Sequence, residues 1–122
     1  MVNKQEYLNA ITQDIEMVRG DTLVFNFQLS GLENQQAYEN LNVVFAVAEE
    51  TDETPIFTVT EDDGIALEDY TDGVATFSVS IAPGLTADID IARYFYSLRI
   101  KDSNDVATLM MGRFILIWNL ED

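Results

Sequence analysis

The sequence predicts an all-β protein, an antiparallel β-sandwich of seven to eight strands preceded by a short N-terminal helix or arm. Three observations carry that expectation. Residues 22–30, 73–81 and 93–101 alternate apolar and polar side chains with the period of two that belongs to a half-buried strand. Asp102, Ser103, Asn104 and Asp105 form a turn cluster between two apolar runs, which marks a hairpin. Strand-like runs follow one another at spacings of 8 to 20 residues with almost no helical stripe between them.

Residues 1–13 are read as the helix or arm and residues 14–122 as the sandwich domain. Tyr7, Leu8 and Ile11 share the spacing of one helical stripe, but so short a helix needs something to pack on, so the segment is a docked turn or an arm reaching a neighbour. It has no apolar core or small-residue cleavage site, so no secretory signal is expected. A short strand is expected at 14–18, closed by Arg19, Gly20 and Asp21. That tripeptide matches an adhesive motif, yet turn chemistry accounts for it fully.

In the next strand Leu23, Phe25, Phe27 and Leu29 point inward, and residues 31–40 read as a loop. Residues 42–49 lack a strongly polar face, as a central strand does. Between Glu49 and Asp72 there are ten acidic residues and no basic one, a pattern that suits short edge strands guarded by like charge. Ala75, Phe77, Val79 and Ile81 form the inner face of the following strand. Pro83 and Gly84 then turn the chain, leaving room for about one helical turn before the hairpin.

Within the hairpin, a two- or a four-residue loop gives the same register, with Lys101 opposite Val106 and Ile100 opposite Ala107. Leu98 then falls opposite Leu109 and Tyr96 opposite Met111, which brings the apolar faces together. Carried past Gly112 unbroken, this register buries Arg113 and exposes Phe114, Leu116 and Trp118, so a β-bulge is expected at Gly112. Ile115 and Ile117 are then left on the outer face, as a protein contact or beneath the N-terminal segment.

The composition narrows the chemistry. The 122 residues suffice for one domain with a core of its own. There is no cysteine and no histidine, which removes thiolate chemistry and the commonest general base and metal ligand. A net charge of −16 repels phosphate backbones and anionic membranes, so nucleic acid and membrane are not expected as partners. No apolar run approaches the length of a membrane-spanning helix. The carboxylates lie in turn-like and edge-like segments as solvated charges. Two acidic turns, at residues 61–64 and 102–105, carry the oxygen ligands calcium requires without fitting the twelve-residue calcium loop. No catalytic residue, cofactor or metal site is assigned, and the protein is not expected to be an enzyme.

Asp90, Ala92 and Tyr94, with Tyr96 where a cysteine would stand, form a run that resembles the tyrosine corner of immunoglobulin-like domains. The likeness implies an Ig-like topology, with the Tyr94 hydroxyl bonded to backbone near residues 86–90. A wider set of motifs covers most of residues 14–118: Gly20-Asp21-Thr22, Pro83-Gly84-Leu85-Thr86, the strand around Tyr94 and Tyr96, Thr108-Leu109, and Gly112-Arg113-Phe114. Together they resemble small virion proteins of tailed phages and prophages, near the N-terminal domain of upper baseplate proteins. Ala92 departs from that pattern, in which glycine is frequent.

The resemblance implies a non-enzymatic structural module of a phage virion, at the baseplate, tail, neck or head surface, made in the bacterial cytoplasm. Its implied partners are other virion proteins and further copies in a homo-oligomer or symmetric assembly. Tyr7, Leu8, Ile11, Ile115 and Ile117 are the candidate contact residues. The alternative is a carbohydrate-binding module for host-surface adhesion, with Tyr38 and Tyr70 as its available aromatic platforms.

Overall fold

The structure is a computed structural model and describes residues 11–31, 34–50, 54–61, 63–101 and 106–118. The described residues are all-β apart from two short helices. The strands are β1 (Ile11–Thr12), β2 (Ile15–Val18), β3 (Leu23–Ser30), β4 (Asn42–Ala48), β5 (Phe57–Glu61), β6 (Gly64–Thr71), β7 (Val74–Ile81), β8 (Arg93–Lys101) and β9 (Val106–Ile117), with α1 at Gln35–Glu39 and α2 at Pro83–Thr86. Hydrogen bonding runs in the order β1-β9-β8-β4-β5-β6-β7-β3, and β2 continues along β9 beside β1.

The expectation of purely antiparallel pairing is corrected at three joins: β1 and β2 run parallel to β9, and β5 meets β6 in parallel. The β5–β6 join is slight, with only Thr60 opposite Gly64 and Glu61 opposite Ile65. Gly64 is required there. Its φ is +116°, and an added Cβ would lie 2.8 Å from the Ser80 carbonyl oxygen and overlap Val59.

The order curls over one core. β3 ends it, yet Phe25 on β3 packs edge-on to Phe45 on β4 with ring centroids 5.7 Å apart. Phe45 also meets Tyr96 at 5.4 Å and Phe114 at 6.2 Å, so strands remote in the order converge on one fully buried ring. The expected inner faces are observed: Ala75, Phe77, Val79 and Ile81 on β7, and Tyr94, Tyr96, Leu98 and Ile100 on β8, are all buried. β4 lies between β5 and β8 and buries Val43, Phe45 and Val47. That explains why its sequence lacked a polar face.

Further expectations are corrected. The acidic stretch does not form edges, because β5 and β6 sit inside the order. Asp72 and Gly73, both at positive φ, close a tight β6–β7 hairpin, as an Asp-Gly pair does in a type I′ turn. The predicted loop at 31–40 contains α1, capped by the Asn34 side chain, which accepts the Ala37 N–H at 3.0 Å. The hairpin bulge falls at Leu109 and not at Gly112: Arg99 faces Thr108, but Leu98 faces Met110 and Tyr96 faces Gly112. The extra residue still reverses the faces as expected, leaving Arg113 exposed and Phe114 and Leu116 buried. Trp118 is 66% exposed, past the end of β9.

Candidate interaction surface

The outer face of β4, β8 and β9 holds the most distinctive chemistry. Alternation turns Arg93, Phe95, Ser97, Arg99 and Lys101 of β8 outward. Register sets Ala48 and Arg113 on either side of Phe95, and Ala46 and Met111 on either side of Ser97. The small side chains of Ala46, Ala48 and Ser97, together with Gly112, leave a shallow cleft of about 690 Å³ walled by Phe95, Met111, Arg99 and Arg113. Phe95 is 37% and Met111 47% exposed, a large apolar area for side chains in the middle of a sheet.

Charge sets this face apart. No lysine or arginine occurs between Arg19 and Arg93, so four of the six cations of the chain lie on β8 and β9. Among the described residues none of these four forms an ion pair, although the chain has 22 carboxylates to offer. Asp14 and Glu50 stand at the rim of the cleft. A second hollow, about 600 Å³ over β6 and β7, has Glu39, Glu61 and Glu68 in its wall and, among the described residues, no cation.

The rim nearest β9 is built by the N-terminal edge strand. β1 and β2 are separated by Gln13 and Asp14, and the break lies against Gly112. There the Gln13 carbonyl comes so close that a Cβ on Gly112 would overlap it. The Tyr96 hydroxyl donates to that same carbonyl, and the Arg113 N–H donates to Asp14 Oδ1 at 3.0 Å, in place of a ladder bond. Burial pushes the Tyr96 phenol up to about 12, with the Asp14 charge adding to the effect. Tyr94 bonds as the tyrosine-corner likeness implied, its hydroxyl donating to the Asp90 carbonyl at 2.6 Å. Its pKa is raised by burial, then by Asp90 and Glu49.

Farther along, the turn at Gly20 is held by Thr86, whose fully buried hydroxyl oxygen accepts the Gly20 N–H at 2.9 Å. Arg19 reaches the Ile89 carbonyl and lies over the Trp118 ring. The tripeptide at 19–21 is thus a strand-ending turn, with Asp21 N–H returning to the Val18 carbonyl.

Of the residues singled out from sequence, Tyr7 and Leu8 lie outside the described residues. Ile11 is in β1 opposite Met110, while Ile115 and Ile117 are half-buried and paired with Glu16 and Val18 of β2. These three therefore share one seam, and β2 occupies the edge beside the two isoleucines. Tyr38 is fully buried against Tyr70 and offers no face to a sugar. Glu61 accepts the Val43 N–H at 2.6 Å, and the other acidic turn, at 102–105, lies outside the described residues.

The cleft residues went unnoticed in the sequence for a definite reason. Phe95 was legible as outward-facing from alternation alone, but a bulge placed at Gly112 turned Met111 inward and hid its partnership with Phe95. No protein-family model and no curated protein matches the chain, so these residues and their arrangement are what a functional reading rests on.

Proposed function

We propose that the protein is a non-enzymatic structural module of a phage virion, an Ig-like β-sandwich that docks other virion proteins on the outer face of β4, β8 and β9 and is arrayed by the particle's symmetry. The observation that carries this reading is the exposed Phe95–Met111 pair flanked by Arg99 and Arg113, which form no ion pair among the described residues. Apolar anchors beside guanidinium groups are the side chains that protein contacts favour.

Two features support the sandwich. The single strand order is weakest at the β5–β6 join, where β1 and β2 with β9, β8, β4 and β5 meet β6, β7 and β3 through only two residue pairs, as two layers of a sandwich would. The Tyr94–Asp90 bond is of the kind the tyrosine-corner likeness implies. Two of the motifs that carry the phage likeness lie in contact, Gly20 of the first bonded to Thr86 of the second, 66 residues away. Repetition in a particle lets modest contacts suffice.

Mass spectrometry of particles purified from the strain that carries the gene tests the reading. The chain is expected in the virion at a fixed ratio to a known structural protein. A Phe95→Glu/Met111→Glu variant is expected to fold but to fall at least roughly tenfold in incorporation, as loss of a hot spot does. Absence of the chain from particles, or full incorporation of the variant, overturns it.

A further inference from the structure

We infer that β3 is a dimerisation edge, along which two copies of this chain pair strand to strand about a two-fold axis. β3 ends the strand order, and among the described residues only β7 pairs with it, through eight consecutive residue pairs with no break in register. Natural sheets blunt so long and regular an edge with charge, proline or a bulge. β3 has none of these, and residues 22–32 carry no charge at all in a chain of net charge −16. At the other end of the order the edge of β9 is covered by β1 and β2.

Burial shows what is missing beyond β3. On β7 the four inward residues are all buried, whereas of their register partners on β3 only Leu29 is, and Leu23, Phe25 and Phe27 stay half-buried. Phe27 stacks on Phe77 with centroids 5.1 Å apart and planes within 5° of parallel, so the far face of its ring is turned to the open edge. A strand added there would complete the layer.

A second copy fits that place. In an antiparallel pair related by a two-fold axis through the sheet, facing residues point to the same side, so inward residues meet inward ones. Centred on Asn26, the pairing sets Phe25 against Phe27 and Leu23 against Leu29 of the other copy. Centred on Phe27, it sets Phe25 against Leu29 and Asn26 against Gln28. Both registers join apolar to apolar on the inward face; on the outward face the first sets Asn26 against Asn26 and Gln28 against Val24, and neither places a carboxylate on either strand. Elsewhere the two copies repel, so screening must favour the dimer. The inference concerns the isolated protein and does not depend on its place in a virion.

Sedimentation equilibrium of the full chain tests it. A dimer is expected that tightens roughly tenfold as salt rises from about 0.02 M to about 0.5 M. Asn26 and Gln28 are exposed, so an Asn26→Glu/Gln28→Glu variant keeps the fold by circular dichroism but sets like charges across the new ladder and sediments as a monomer. Mixing it with an Asn26→Lys/Gln28→Lys variant is expected to restore a dimer containing one copy of each. A monomeric wild type, whether its edge is filled by residues 1–10 or left open, overturns the inference. So does a dimer that weakens with salt, a Glu variant that still dimerises, or a mixture that shows no rescue.

Discussion

Tyr96 carries two duties through one hydroxyl. Its ring packs on Phe45 in the core, while its O–H fastens the N-terminal edge strand by donating to the Gln13 carbonyl. Ionisation would convert that donor into a buried anion near Asp14, which is why the phenol is held at about 12 against an ordinary 10. An unfolded tyrosine loses its proton first, so between pH 10 and pH 12 the unfolded chain binds fewer protons than the folded one. Stability must then fall as pH rises through that window. Tyr94 is shifted in the same direction and adds to the slope. Urea unfolding at a series of pH values should show that decline, and Tyr96→Phe should flatten it. At neutral pH the same substitution is expected to cost about 1 kcal/mol, the net worth of one such hydrogen bond. An unchanged slope in the variant would place the titrating group elsewhere.

Among the elements, β8 shows how much of the fold was legible and where legibility stopped. Its alternation from Arg93 to Lys101 fixed its faces, and the acidic turn cluster fixed its first pairings with β9, because both signals are local. The position of the β9 bulge was not legible. Parity required one extra residue somewhere before Phe114, and Leu109 and Gly112 satisfy it equally, so the glycine drew the assignment. What the sequence could not show is that Gly112 has a different task, namely to admit the Gln13 backbone from 99 residues away. The parallel pairing of β1 and β2 is a long-range fact of the same kind, and so is the exposure of Met111 that created the cleft.

Gly112→Ala separates these two roles. The new methyl would overlap the Gln13 carbonyl, so the edge strand must lift from β9 at the point where Tyr96 and Asp14 hold it. The expected cost is about 1–3 kcal/mol, that of one overpacked site, and hydrogen exchange should quicken at Gln13 and Arg113 while β3 and β7 stay protected. A bulge glycine would instead loosen the β8–β9 ladder on both sides of residue 112.

At the scale of the whole molecule, the sheet's pairing order divides the charge. The half built from β5, β6, β7 and β3 has no cation, while β8 and β9 carry Arg93, Arg99, Lys101 and Arg113 without ion pairs among the described residues. Unpaired carboxylates in such excess repel one another in the folded state more than in an expanded chain, so the fold works against its own field. A domain of this length has a radius of gyration of about 14 Å. The screening length is about 30 Å at 0.01 M salt, where every charge feels every other, and about 3 Å at 1 M, where only neighbours interact. Thermal unfolding should therefore shift upward between those limits, by an expected 1–2 kcal/mol or roughly 5–10 °C in Tm. Neutralising Arg99 and Arg113 with glutamine tests the division of labour directly. Surface changes away from packed contacts move stability by no more than about 0.5 kcal/mol, so Tm should hold nearly still, while under the proposed virion role particle incorporation should drop. A large fall in Tm would instead mean that the two arginines serve to balance the molecule's charge and not to meet a partner.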